Sequence, residues 1–434
     1  MSAHQYFKSI DQALKQQGAM QPTLVIDKTR LDENISHLKQ VIDQGYDYRI
    51  VAKSLPSIPF LQYLMDRTGT NRLMSFHLPF LKHLTIHTPN ADVLLGKPMP
   101  VLACQEFYDW YKKQQTSFDA KQQIHWLIDS TDRLKQYQNL CEEIDLYINV
   151  NLEIDIGLHR GGYSDLAEFE ASLELIKQSE RITLTGLMGY EAHVSKIPKF
   201  IGGSKKAFSV AMSAYADFTQ AISKHFGEDI FDKLMLNAGG SSTYPLYDLS
   251  GTQHQLSINI DVIKKAKINE IATASALVKP TDFDTFTLEH HKPACFIAAP
   301  VLKKVVNPDL PMASGLSKIL RSIGLMTKHA CFTYGGNWLA QPYFPEGSKR
   351  SDILGHSSNQ EMYELKNEND IQIDDFFYFR PTQSEAVFLQ FGKIAIYENG
   401  QIIDWWPVFN PEELASHTEK NNNKNNDTGL KHYG

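Results

Sequence analysis

From about residue 20 to residue 280, short apolar runs alternate with longer stretches whose apolar positions recur every three or four residues. The first run, Thr23-Leu24-Val25-Ile26, leads into Asp27 and then Leu31, Ile35, Leu38, Val41 and Ile42. That spacing gathers the apolar side chains on one helix face. Eight further runs follow, at 49–52, 72–75, 92–95, 124–128, 145–150, 183–188, 234–236 and 266–271. Each is rich in apolar or β-branched residues and is followed by turn formers and then a helical pattern. Eight strands alternating with helices predict a closed parallel (β/α)8 barrel rather than an open doubly wound sheet.

After residue 280 the pattern changes. Short aromatic and β-branched runs succeed one another with Gly and Pro between them, at 283–288, 294–301, 330–334, 376–379, 387–391 and 393–397. Glu398-Asn399-Gly400 then forms an Asn-Gly hairpin turn into Gln401-Ile402-Ile403-Asp404. The expected organisation is an α/β barrel of the TIM type over 20–280, followed by a mostly antiparallel β domain over 281–412. Residues 1–19 are a candidate completion of that second domain. The polar run Lys420 to Asp427 marks 413–434 as a disordered tail.

Composition narrows the function. The 434 residues carry 42% hydrophobic and 21% charged side chains, enough to bury a core without disulfides or a structural metal. A formal charge of −7 with scattered lysine and arginine argues against nucleic acid as a partner. Cys104, Cys141, Cys295 and Cys331 form no CxxC pair and read as small buried hydrophobes in a reducing compartment. Met1 to Tyr6 lacks the basic and apolar regions of a secretory signal, and no run approaches the roughly 18 apolar residues of a membrane helix. A cytoplasmic protein without membrane contact is expected.

In such barrels, catalytic groups lie at the C-terminal ends of the strands. The first barrel strand ends in Lys53, placed to enter the barrel mouth, where partial desolvation favours a nucleophilic amine. A lysine there could equally extend to solvent or neutralise an acid, and Lys97 holds a similar position after the 92–95 run. The seventh strand opens onto Asn237-Ala238-Gly239-Gly240-Ser241-Ser242-Thr243, whose N–H groups and hydroxyls can donate to a phosphate. Gly-Gly pairs at 161–162, 202–203 and 335–336 are equally compatible with ordinary loops. A phosphate site beside a desolvated lysine fits a sugar-phosphate aldolase or a pyridoxal phosphate enzyme.

The order of several segments carries a resemblance. Thr23 to Asp27, Val51-Ala52-Lys53-Ser54, Glu153 to Gly162, Gly186 to His193 and Asn237 to Thr243 together resemble the alanine-racemase-like fold type of pyridoxal phosphate enzymes. Within it, the chain looks most like the D-threonine aldolase and D-serine dehydratase group. The match is good over 20–280 and looser to about residue 410.

The resemblance implies that Lys53 holds the aldehyde cofactor covalently and serves as the base at the substrate's α-carbon. Arg160 would donate to the cofactor's phenolic oxygen, and Tyr190 would pack on its ring. Gly239, Gly240, Ser241 and Ser242 would bind its phosphate. In alanine racemase an arginine faces the pyridine nitrogen; here the corresponding region is Lys267 to Ile271, leaving Glu270 either to meet that nitrogen or to form a structural salt bridge. The group's divalent metal is held by a His-x-Cys or His-x-Asp pair, and here Gln383 and Glu385 stand in those places. Such a pair suits a hard ion such as magnesium or manganese, or none. His356, Gln360 and Glu361 are substitute ligands or surface residues.

The implied function is aldol cleavage or β-elimination of a D-β-hydroxy amino acid, by a homodimer with shared active sites. Racemisation or epimerisation is the alternative, with Tyr334 or His193 as the acid–base group opposite Lys53. A non-catalytic pyridoxal phosphate carrier or regulatory protein is an alternative of another class.

Overall fold

A computed structural model of the chain describes residues 2–251, 258–367, 369, 371–412 and 414–415. The tail expected at 413–434 lies outside the described residues apart from 414 and 415. Strand β1, Thr23–Asp27, precedes eight strands that close in order into a parallel barrel. These are β2 (Asp47–Val51), β3 (Arg72–Ser75), β4 (Asp92–Leu95), β5 (Ile124–Ile128), β6 (Ile148–Ile154), β7 (Ile182–Gly189), β8 (Met235–Ala238) and β9 (Glu270–Thr273). The ring closes where β2 pairs with β9, with Asp47 level with Glu270 and Ile50 with Thr273.

Two barrel strands are displaced from their expected positions. The run at 145–150 becomes Ile148–Ile154, because Asp145 takes a left-handed turn conformation (φ 53°) and the strand continues through Asn151 and Glu153. Those polar residues are buried, so polarity at 151–153 does not end the strand. The run at 266–271 becomes Glu270–Thr273, because Lys267 (φ 54°) caps the helix Ile260–Ala266.

Alternation along β2 puts Arg49 and Val51 on one face. The guanidinium of Arg49 is fully buried, bonded to Glu270 on β9 and to the carbonyl of Leu73 on β3. That face is therefore the barrel interior. Asp92, His125, Thr185, Asn151 and Asn237 continue the polar interior layer through hydrogen bonds of 2.8–2.9 Å.

The second sheet holds β10 (Cys295–Val306), β11 (His329–Tyr334), β12 (Ala340–Phe344), β13 (Lys349–Arg350), β14 (Gln360–Leu365), β15 (Phe376–Pro381), β16 (Lys393–Glu398) and β17 (Gln401–Pro407). Its main path runs β13-β14-β11-β10-β1-β16-β17, with β15 bridging β10 and β12. All pairs are antiparallel except β1 with β16. The Asn399-Gly400 turn joins β16 and β17.

Residues 1–38, 54–59 and 275–408 cluster with this sheet, while 39–53 and 60–274 carry the barrel. The helix Ala3–Gln16 opens with a Ser2/Gln5 capping box and sets Phe7, Ile10 and Leu14 against Val25, Phe296, Tyr378 and Ala395.

Two stretches expected as strands are not. Residues 283–288 lie in 3-10 turns, and the 279–284 backbone folds around Arg380, which donates to the Lys279 carbonyl at 2.8 Å and pairs with Asp284 at 2.6 Å. Residues 387–391 end the short helix Ser384–Phe388, where Val387 and Phe388 are buried together. No helix among the described residues is long and apolar enough to cross a membrane.

Candidate functional site

Lys53 sits in the turn Ala52–Ser54 that follows β2 and is half-buried, with Nζ 4.4 Å from the centroid of the Phe76 ring. Lys97 is exposed. Of the two candidate lysines, only Lys53 is partly desolvated. The ring of Phe76 lies close against Gly96, where an added Cβ would stand 2.2 Å from Cζ. Absence of a side chain at residue 96 therefore makes room for the aromatic wall beside the amine.

After β6 the chain forms a closed loop. Asp155 accepts the N–H groups of Gly157 and His159 at 2.9 Å, and Tyr163 exchanges backbone bonds with Glu153 and Asp155 at 2.8 and 2.9 Å. This loop presents Arg160, exposed, with its guanidinium 5.0 Å from the centroid of Tyr190. Tyr190 in turn lies against Gly240, where an added Cβ would be 2.5 Å from Cε2. Arg160, Tyr190 and Gly240, expected in one site, form one line of contacts.

The turn after β8 is buried throughout. Gly239 adopts φ +86°, a conformation that favours glycine, and the carbonyl of Gly240 accepts from the amides of Thr243 and Tyr244. Ser241 Oγ lies 3.0 Å from Thr273 Oγ1, and Thr273 is level with Ile50 on β2. Lys53 follows β2 and the turn follows β8, strands two places apart around the ring whose axes are about 10 Å apart at ordinary spacing. This interval suits a small aromatic phosphate.

The residues present fit pyridoxal phosphate by that test. A turn with backbone amides, two buried serines and a glycine that admits no side chain follows a strand two places round the ring from the one that leads to a half-buried amine.

Glu270 does not belong to this group. It opens β9, level with Asp47 at the start of β2, whereas Lys53 lies beyond the far end of that strand. Its carboxylate is fully buried and taken by Arg49 at 2.6 and 2.9 Å, Arg72 at 2.7 Å and Asn237 at 2.8 Å. Of its two expected fates, the structure shows the salt bridge.

The metal donors fit poorly. Gln383 is exposed and its amide donates to Asp282 at 2.9 Å, while Glu385 is half-buried in the first turn of a short helix. His356 lies 3.1 Å from Glu361, whose other oxygen accepts from the amide of Asn337 at 2.8 Å, which makes Glu361 a loop anchor. Gln360 opens β14. Among the described residues no three His, Cys, Asp or Glu side chains gather as a metal site requires. Tyr334 is 45% exposed at the end of β11. His193 is half-buried; burial and then the neighbouring His159 pull its pKa below the ordinary value.

Three residues of the site were missed in the sequence. Phe76 is a loop aromatic with no motif. Glu153 is buried below the Arg160 loop; burial pushes its carboxyl up to about 7, with Arg160 opposing and Asp129 and Asp155 adding to the rise. Glu191 is fully buried and accepts from Thr243 Oγ1 at 2.6 Å and from the amide of Gly239 at 3.4 Å. Inward alternation along β6 (Asn151, Glu153) could have found the second. The others depend on contacts between distant segments.

Comparison with known proteins agrees with this architecture. Solved structures with the same fold include a D-threonine aldolase from Filomicrobium marinum, at 13% identity and TM-score 0.66, covering 92% of this chain and 96% of that one. A D-threo-3-hydroxyaspartate dehydratase from Delftia sp. HT23 matches at 13% identity and TM-score 0.63, covering 89% and 97%. An alanine racemase from Clostridium difficile 630 matches at 13% and 0.59, covering 88% and 97%. No curated protein matches the chain by sequence. The family model for the alanine racemase N-terminal domain matches residues 26–255, more than half of the sequence. This chain therefore belongs to the alanine racemase N-terminal domain family.

Proposed function

We propose that the protein is a pyridoxal phosphate-dependent enzyme acting on an amino acid, by aldol cleavage or β-elimination of a D-β-hydroxy amino acid. The observation that carries the cofactor reading is the half-buried amine of Lys53 beside Phe76, two strands from the buried Gly239 to Ser242 turn. The likeness to a D-threonine aldolase and a D-threo-3-hydroxyaspartate dehydratase supports the choice of reaction. When bound, the cofactor supplies an aldehyde and an electron-accepting ring.

The chain's own residues do the rest. Lys53 would hold the aldehyde and would serve as the base at the substrate's α-carbon. Arg160 would donate to the phenolic oxygen, Tyr190 would pack against the ring, and Gly239, Gly240, Ser241 and Ser242 would hold the phosphate. Because Gln383 and Glu385 do not make a metal site, no step is assigned to a metal. We place the enzyme in the cytoplasm as a homodimer with shared sites.

The test adds pyridoxal phosphate to the apoprotein and follows the visible band of the lysine-bound cofactor, near about 420 nm. Reduction with borohydride and mapping should place the adduct on Lys53, and Lys53→Ala should lose both band and adduct. A colourless wild type, or an adduct elsewhere, refutes the reading. Incubation with D-threonine, D-serine and D-alanine then assigns the reaction by whether aldehyde, keto acid or L-enantiomer accumulates.

Racemisation or epimerisation is the second reading, with His193, half-buried beside Gly157 in the loop after β6, as a candidate acid–base group. Absence of product from the whole panel by the cofactor-loaded protein would favour the carrier reading.

A further inference from the structure

Glu191 has an unusual position for an acid. It is fully buried, and its two oxygens reach the two ends of one turn: Oε1 accepts from Thr243 Oγ1 at 2.6 Å, and Oε2 accepts from the amide of Gly239 at 3.4 Å. Between those ends lie Gly240, Ser241 and Ser242, three of the four residues assigned to phosphate. The preceding residue, Tyr190, meets the same turn at Gly240. Tyr190 and Glu191 together thus shape the turn at three points.

The surroundings of the carboxyl explain how an acid can serve an anion site. No lysine or arginine pairs with it among the described residues; the Thr243 hydroxyl donates to it and Tyr247 lies beside it instead. Burial without a cation raises its pKa, since an unpaired buried charge is costly. A neutral carboxyl accepts hydrogen bonds from the turn without repelling a phosphate. An ionised one would oppose the ligand.

We propose that Glu191 is a positioning residue which clamps Gly239 and Thr243 and so sets the shape, and the phosphate affinity, of the turn between them. This rests on the cofactor reading above. A clamp of this kind fixes the amides before the ligand arrives, which lowers the ordering cost of binding. It acts on the phosphate arm and leaves the aldehyde end to Lys53.

The experiment compares equilibrium binding of pyridoxal phosphate with that of pyridoxal, which lacks the phosphate, by the visible band. Wild type, Glu191→Ala, Glu191→Gln and Thr243→Val are measured as apoproteins, with inorganic phosphate scored separately by its effect on the thermal midpoint. In Glu191→Ala, affinity for pyridoxal phosphate should fall at least about tenfold while that for pyridoxal stays within about twofold. Glu191→Gln, which mimics the neutral acid, should restore most of the preference, and Thr243→Val should lose part of it. Inorganic phosphate should stabilise wild type and Glu191→Gln but not Glu191→Ala.

An unchanged preference in Glu191→Ala, or equal loss of both ligands, overturns the proposal. If that variant does not fold, Thr243→Val decides by the same ratio. A wild type that binds neither aldehyde refutes the cofactor reading itself, an outcome distinct from an unaltered ratio.

Discussion

Arg49 and Glu270 face each other inside the barrel with Nε 2.6 Å from Oε1 and Nη2 2.9 Å from Oε2, and neither side chain is exposed. They join the first and last strands of the ring, β2 and β9. Burial alone would raise the carboxyl's pKa, but the charges of Arg49 and then Arg72 outweigh it and hold it below the ordinary glutamate range. Glu270→Ala leaves Arg49 charged and buried, and should cost about 3–5 kcal/mol in urea unfolding. Because the folded pKa is depressed, the stabilisation is present above the ordinary glutamate pKa and is lost as pH falls through the folded value. Wild type should therefore lose stability on acidification more steeply than a folded Glu270→Gln variant.

Glu153 should show the opposite sign. Its folded pKa of about 7 lies above the ordinary value of 4.5, so the folded state binds the proton more tightly. The stabilisation is complete below the ordinary value and is lost as pH rises towards about 7, at most about 3 kcal/mol for this shift. Glu153→Gln, which stays neutral, should gain about 2–3 kcal/mol relative to wild type between about pH 5 and about pH 8. Denaturant titrations of both proteins at the two pH values measure it; a constant difference would show that the carboxyl is already ionised at the lower pH.

Gly240→Ala places a methyl 2.5 Å from Tyr190 Cε2, so the ring must leave its place under Arg160. Affinity for pyridoxal phosphate should drop roughly tenfold, about 1.4 kcal/mol. Adding Tyr190→Ala should recover part of the loss, since it removes the clashing ring. Binding titrations of the single and double variants give the coupling directly.

Gly96→Ala would put a methyl 2.2 Å from Phe76 Cζ and force that ring, now 4.4 Å from Lys53 Nζ, out of its place. The visible band should then form more slowly with added cofactor, and Phe76→Leu in the same chain should restore the rate. Stopped-flow absorbance separates this from a loss of affinity.

All four thiols, Cys104, Cys141, Cys295 and Cys331, are buried, and burial raises each pKa. A chromogenic disulfide reagent should react with none on the folded protein within minutes and with all four in denaturant.

The sequence alone determined the closed barrel, because eight short apolar runs alternating with amphipathic helices leave one economical way to bury both faces of the strands. The Asn399-Gly400 hairpin was equally legible, since its turn chemistry is local. The lysine at the end of β2 and the Gly-Ser turn after β8 could be picked out because strand ends are where such barrels keep reactive groups. Local pattern could not tell Lys53, half-buried beside Phe76 in the loop after β3, from the exposed Lys97. Nor could it show that Glu270 serves Arg49 at the far end of the barrel, since strand register decides that partnership. Glu153 and Glu191 read as polar interruptions; only the tertiary structure buries them, and that burial, which outweighs Arg160 at Glu153, raises the proton affinity of each acid.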